Sequence, residues 1–72
     1  MTMTHFTLQD EYIRLDDLLK LTGCVQTGGM AKVLIQSGGV MLDGEVCTMR
    51  GKKVRPGDEV AVGDTLLKIT AQ

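Results

Sequence analysis

The residues best suited to bind a ligand through charge lie in one short stretch. Arg50, Lys52, Lys53 and Arg55 place four of the eight Lys and Arg residues within six positions, although the net charge is only -1. A local positive field attracts phosphate groups without making the whole surface bind anions. A single surface lysine often does no more than keep a small domain soluble, so the clustering is the informative feature. It favours a polyanionic partner.

The residue types give less support to catalysis. Cys24 or Cys47 would need a positioned base to act as a nucleophile, and the single histidine, His5, lies near the amino-terminal end. No glycine-rich phosphate loop or carboxylate pair at a catalytic spacing is present. The two cysteines are too far apart for a zinc or redox motif, so we expect both to be free and reduced. We therefore expect a non-enzymatic protein without a metal or another cofactor.

The length and composition restrict the protein further. Seventy-two residues allow one domain, residues 1–72, with a thin core. Phe6 and Tyr12 are the only aromatic residues, so a platform of aromatic side chains for stacking bases is not expected. The amino-terminal residues lack the basic-then-apolar pattern of a signal peptide, and no apolar run approaches the roughly 20 residues that cross a bilayer. We expect a cytoplasmic protein that does not contact a membrane.

Apolar periodicity predicts two helices near the middle of the chain. The first begins at Leu15, with Leu18 and Leu19 on the same face, and ends at a Gly23 cap. Thr27 is the expected amino-terminal cap of the second helix, which ends at Gly38. A tight connection makes the helices pack together. The apolar positions expected in this second helix are Met30, Ala31, Leu34 and Ile35.

A period of two residues predicts strands elsewhere. A short strand over residues 5–8 is expected after a frayed start, and strands over 40–42 and 45–48 flank an Asp43-Gly44 hairpin turn. Pro56-Gly57-Asp58 reads as a further turn. Strands over 59–62 and 66–70 follow, joined at Gly63-Asp64. The expected class is α+β, with two short packed helices against a small, mostly antiparallel sheet.

This order of elements resembles the αL RNA-binding motif, the domain named for the fourth protein of the small ribosomal subunit. The resemblance covers about two thirds of the chain, with a core over about residues 13–60. It is carried by Ile13-Arg14-Leu15-Asp16-Asp17-Leu18-Leu19, by Thr27 with Ala31 and Ile35, by Gly38-Gly39-Val40-Met41-Leu42-Asp43-Gly44 and by Val54-Arg55-Pro56-Gly57-Asp58-Glu59-Val60. Small stand-alone bacterial members look similar in the second helix, residues 27–32, and in residues 50–53.

The resemblance implies a protein that recognises structured RNA, ribosomal or transfer RNA among the candidates, mainly through the phosphate backbone. The residues expected to share the RNA-binding face are Lys20, Thr27, Lys32, Arg50, Lys52 and Lys53. Arg55 ranks below them because it precedes Pro56. Many family members have an arginine after the capping Thr or Ser, and here Gly28 stands in that place.

Simpler explanations exist for several of these residues. Lys20 could pair with Asp16 one helical turn earlier. Gly28 and Gly29 fit either a close approach of an RNA backbone or a tight helix entry. Lys32 has no carboxylate at either helical spacing, so its charge is less easily explained.

Two other functions fit part of the sequence. Exposed methionines at Met41 and Met49 would suit a protein-protein interaction module. The paired Gly-Asp turns near the carboxyl end resemble carrier domains of the biotinyl and lipoyl type, but Lys68 lies inside a predicted strand, where a swinging arm could not project. The sequence favours RNA binding over both a protein-protein interaction module and a carrier domain.

Overall fold

A computed structural model describes residues 2–72. Two helices, α1 (Leu15–Leu21) and α2 (Gly28–Gln36), lie between strands in the chain. The strands are β1 (Thr2–Leu8), β2 (Ile13–Arg14), β3 (Val40–Leu42), β4 (Glu45–Val46), β5 (Lys53–Val54), β6 (Glu59–Val62) and β7 (Thr65–Ala71).

Five of the strands form one sheet in the order β1-β7-β6-β3-β4. β1 runs parallel to β7, and the other neighbours are antiparallel. β2 and β5 form a separate antiparallel pair, in which Arg14 lies opposite Lys53. The predicted α+β class with a mostly antiparallel sheet is confirmed.

Both helices begin and end near the residues that the sequence indicates. The Thr27 hydroxyl caps α2 by accepting a hydrogen bond from the Met30 N–H at 3.1 Å. Gly23 and Gly38 follow the helix ends with φ of 79° and 88°, the left-handed conformation in which glycine avoids a steric penalty. The caps fix where the chain turns away from each helix.

The core lies between the two helices and the inner face of the sheet. Leu15, Leu18 and Leu19 of α1 are fully buried, as are Ala31 and Ile35 of α2. Val40, Val60 and Leu67 supply the sheet side of this core. The expected helix-helix packing is present, except that Met30 is 48% exposed, since it lies at the edge of the contact face.

Several strand bounds differ from the sequence-based expectation. β1 begins at Thr2 because its full length pairs with β7, so the expected fraying of residues 2–4 is wrong. The strand after the hairpin turn ends at Val46, two residues early. The sequence indicates a loop after the hairpin that carries Arg50, Lys52 and Lys53, but Lys53 belongs to β5. The pairing of β5 with β2 was not predicted.

Candidate functional site

The basic residues 50–53 are held against the start of α1 by backbone hydrogen bonds. The Leu15 N–H donates to the Lys52 carbonyl at 2.9 Å, and the Asp16 N–H donates to the Arg50 carbonyl at 3.1 Å. The β2-β5 pair continues this contact. These carbonyls satisfy N–H groups that the first turn of a helix leaves without partners. The position of the basic segment is therefore set by α1.

Asp16 gathers two arginines at the same place. Its side chain is 12% exposed and accepts from Arg14 Nη2 at 3.2 Å, while Arg50 Nε lies 3.9 Å away. The other carboxylate oxygen accepts from the Asp17 N–H at 2.9 Å. Arg50 is thus partly neutralised, although its side chain remains 46% exposed.

Lys20 does not pair with Asp16, the partner that helical spacing suggested. Lys20 Nζ lies 3.5 Å from the Asp17 carboxylate, three residues earlier, because Asp16 is turned toward the arginines. Both side chains of this pair are almost half exposed, so it contributes only a few tenths of a kcal/mol. Lys20 can leave Asp17 at little cost.

Lys52 and Lys53 are exposed on the basic segment. The Lys53 ammonium lies 4.8 Å from the centre of the Tyr12 ring, within the range of a cation-π contact. Lys52 lies beside a shallow depression formed with Val46, Cys47 and Met49. Neither lysine has a carboxylate partner among the described residues. Both can therefore contact an anion directly.

The amino-terminal end of α2 differs from that of α1. The Met30 and Ala31 N–H groups donate to the side chain and the carbonyl of Thr27. Within residues 2–72, the N–H groups of Gly28 and Gly29 have no acceptor. Two free donors at the positive end of a nine-residue helix have the direction and charge to accept an anion.

Lysines lie on one flank of this helix end. The Lys20 ammonium is 4.0 Å from the point that a Cβ atom on Gly28 would occupy. Lys32 follows Gly28 by four residues, which places it on the same side one turn further along. It is exposed and makes no ion pair with the described residues. One cation, Lys20, therefore lies beside the free donors, and a second, Lys32, follows on the same side of α2.

The predicted residues fall into two neighbouring groups. Arg50, Lys52 and Lys53 lie at the start of α1, and Lys20, Thr27 and Lys32 lie where α1 ends and α2 begins. A helix of seven residues is about 10 Å long, so α1 brings the two groups close. Arg55 lies beyond β5, in a turn where its N–H donates to the Asp58 carboxylate.

Sequence reasoning missed Arg14, whose guanidinium lies 3.5 Å from the Cβ position of Gly51. The signal available was the spacing of Arg14 and Asp16 across the helix start, but from the sequence Asp16 was considered only as a possible partner of Lys20. Arg14 adds a fourth cation to the group at the start of α1.

The remaining surface offers few other sites. An open apolar groove lies along α2, lined by Cys24, Met30, Val33 and Leu34 among others, and it reaches Thr27 and Gly29 at the helix start. Within residues 2–72, no group of three His, Cys, Asp or Glu residues could hold a metal ion. In the same range, no helix has both the length and the apolar character needed to span a bilayer. Both cysteines are unpaired.

The fold and this surface define a small α+β module with exposed cations around two helix starts. The family model for the S4 domain matches residues 6–70. The chain therefore belongs to the S4 domain family.

Relatives extend over nearly the same length. YbcJ of Escherichia coli strain K12, named as a candidate RNA-binding protein, is 34% identical over 70 residues, which cover 96% of this chain and 100% of YbcJ. RlbA of Bacillus subtilis strain 168, named for an inferred role in ribosome maturation, is 36% identical over 56 residues, covering 78% of this chain and 79% of RlbA.

A solved structure confirms the architecture. The solution structure of E. coli YbcJ matches with a TM-score of 0.74 and 33% identity, over 99% of this chain and 91% of that one. Its description names an αL motif involved in RNA binding. The resemblance seen in the sequence is confirmed.

Proposed function

We propose that this protein binds structured RNA through the phosphate backbone and carries out no reaction itself. The observation that carries the proposal is the open amino-terminal end of α2. There, the free N–H groups of Gly28 and Gly29 lie beside the Lys20 ammonium and on the same flank as Lys32. Unpaired helix donors with adjacent cations suit a phosphate group.

The basic segment extends this receptor to further phosphates. Arg50, Lys52 and Lys53 are attached to the start of α1, and Lys20 lies near the end of the same helix. A single small anion could not reach both groups, whereas a nucleic acid carries phosphates at regular intervals along its backbone. The arrangement therefore supports a polymeric anion as the ligand.

RNA is supported over other polyanions by the two relatives, whose names refer to RNA binding and to ribosome maturation. We infer a structured ribosomal RNA as the target class. The surface has few groups that could read base edges, and Tyr12 is covered in part by Lys53. Recognition then depends on the spacing of phosphates in a folded RNA more than on base sequence.

A second candidate function, protein binding, is favoured by one feature of the outer sheet face. Met3, Leu66, Ala61, Met41 and Val46 are register partners across all five strands and form a continuous apolar row. Met41 is 38% and Val46 60% exposed. This face points away from the helices, so RNA and a protein could bind at the same time. RNA bound as proposed should leave the NMR methyl signals of Met3 and Met41 unchanged.

The main test reverses charge on the basic segment. The double substitution Lys52→Glu and Lys53→Glu should lower affinity for a ribosomal RNA hairpin at least roughly 100-fold, because two phosphate contacts become repulsive. The unfolding midpoint should change little, since both side chains are exposed. Affinity is measured by fluorescence anisotropy across a salt series. The wild-type plot of log K against log salt should have a slope of about -3 to -5.

The control is the double substitution Arg55→Glu and Lys68→Glu, which changes the net charge equally at two positions outside the predicted RNA-binding set. It should reduce the affinity far less. Equal losses in the two variants would show attraction by net charge alone, and a wild-type slope near zero would exclude phosphate recognition.

A further inference from the structure

The two edges of the five-stranded sheet differ in length and in protection. β4 exposes an edge of two residues, whereas β1 exposes seven, Thr2–Leu8. Natural sheets usually protect a long edge with lysine, proline or a bulge. β1 contains none of these and no Asp, Glu or Arg, and its pairing with β7 is regular along its full length. The β1 edge is thus free to accept another strand.

The free backbone groups of this edge can be assigned. The Thr2 N–H donates to the Asp64 carbonyl at 2.7 Å, and the Leu8 carbonyl accepts from the Gln72 N–H at 3.3 Å. Even-numbered residues of β1 therefore direct their backbone groups toward β7. Alternation along a strand directs those of Met3, His5 and Thr7 outward. Within residues 2–72, no strand pairs with this outer side.

We propose that β1 pairs antiparallel with β1 of a second copy of this chain, about a two-fold axis at His5. In this register His5 lies opposite His5 of the second copy, and Met3 lies opposite Thr7. These are the hydrogen-bonded positions of an antiparallel ladder, in which opposite residues exchange both hydrogen bonds. Every outward N–H and C=O of the edge then has a partner, and the two sheets form one continuous sheet.

The side chains are compatible with this self-pairing. At the closer, non-hydrogen-bonded positions, Thr4 lies opposite Phe6 of the second copy, an aromatic and β-branched pair that stabilises strand pairing. Phe6 is only half-buried in the single chain, so the contact would cover its remaining apolar surface. On the outer face His5 lies beside Lys68, whose charge is matched by Glu59 at 3.5 Å.

A second copy fits better than an unrelated peptide because the register is self-complementary and β1 carries no Lys, Arg, Asp or Glu that would repel its own copy. Two paired strands bury less than a standard protein interface, so the dimer is a weak one.

The test uses two double variants at exposed, outward-facing positions. In Met3→Lys with Thr7→Lys, like charges lie opposite each other across the axis, whereas in Met3→Lys with Thr7→Glu opposite charges do. Sedimentation equilibrium up to about 1 mM should show wild-type protein approaching twice the 7.8 kDa chain mass. The like-charge variant should raise the dissociation constant at least roughly tenfold, and the opposite-charge variant should stay within about threefold of wild type.

Circular dichroism should show both variants folded, since neither side chain enters the core. A wild-type protein that remains monomeric at about 1 mM overturns the proposal. So does a dimer that the like-charge variant leaves intact, which would locate the contact elsewhere. An opposite-charge variant as weak as the like-charge one would exclude this antiparallel register.

Discussion

The starts of the two helices differ in the acceptors that their first N–H groups find. At α1, the first N–H groups donate to the carbonyls of Lys52 and Arg50, and the Asp17 N–H donates to the Asp16 side chain. At α2, Thr27 accepts the Met30 and Ala31 N–H groups, while those of Gly28 and Gly29 have no acceptor within residues 2–72. One helix start is occupied by the protein itself, and the other is open.

Because of this difference, the start of α1 serves the structure of the basic surface, whereas the start of α2 is where we propose that RNA binds. The carboxylate of Asp16 and the closed start of α1 hold the basic segment in place, so Arg14 and Arg50 are partly used for folding. Within residues 2–72, the N–H groups of Gly28 and Gly29 at the open start of α2 hold no other segment in place. We therefore expect loss of the Asp16 carboxylate to affect stability first, and a change at Gly28 or Gly29 to affect RNA binding first.

Among single substitutions, the largest effect is expected at the start of α1, on the free energy of unfolding. Asp16→Ala removes the carboxylate that binds two arginines and the Asp17 N–H, and should lower the free energy of unfolding by about 2 kcal/mol. The loss should be smaller than for a fully buried ion pair, because both arginine side chains are almost half exposed and solvent screens their charges. Urea denaturation measures the change.

Asp17→Ala is the matched control for this variant, since within residues 2–72 the Asp17 carboxylate pairs only with the half-exposed Lys20. It should cost less than about 0.5 kcal/mol. Equal losses from the two variants would contradict the structural role given to Asp16.

The next largest effect is expected on RNA affinity, from a substitution at the start of α2. Gly29→Ala adds a Cβ whose nearest neighbour is the Thr27 hydroxyl at 3.9 Å, so the fold accepts it. The methyl group hinders a phosphate from reaching the free N–H groups, and loss of one charge-assisted hydrogen bond corresponds to roughly tenfold weaker RNA binding. The helix itself should gain stability of a few tenths of a kcal/mol. Anisotropy and thermal denaturation on one sample give both values.

A variant that keeps wild-type affinity would mean that the two glycines serve only a tight helix entry. A variant that loses stability together with affinity would remove the distinction between the two helix starts.

The smallest expected effect is an increase in RNA affinity, where the preceding substitution lowers it. Asp17→Asn removes the partner of Lys20 and frees its ammonium for a phosphate near Gly28. RNA affinity should rise roughly twofold to threefold, as expected for release from an exposed ion pair. Glu59→Gln makes the same charge change beside Lys68 on the sheet and should raise the affinity less. If both substitutions raise RNA affinity equally, the affinity depends on net charge alone and Lys20 does not contact the RNA.

Local rules predicted much of this fold. Thr27, Gly23 and Gly38 marked the helix ends because caps and positive φ angles depend on neighbouring residues only. The hairpin turn at Asp43-Gly44 was predicted for the same reason, and both residues have positive φ. The parallel pairing of β1 with β7 was not predicted, since it joins the two ends of the chain.

The candidate site was harder to predict because its geometry depends on contacts distant in the sequence. The six residues chosen from the sequence remain the proposed RNA-binding set. The contact of Arg50 with Asp16, 34 positions away in the chain, had no local signal. The choice of Asp17 over Asp16 by Lys20 follows from that contact, so it too could not be read from helical spacing alone.

The central claim is most directly tested by an NMR titration of ¹⁵N-labelled protein with a ribosomal RNA hairpin. The claim predicts that the largest amide shifts occur at Gly28 and Gly29, whose N–H groups are free, and that the Leu15 and Asp16 amides, bound to Lys52 and Arg50, move little. Large shifts at Leu15 and Asp16 with unchanged glycine amides would contradict it.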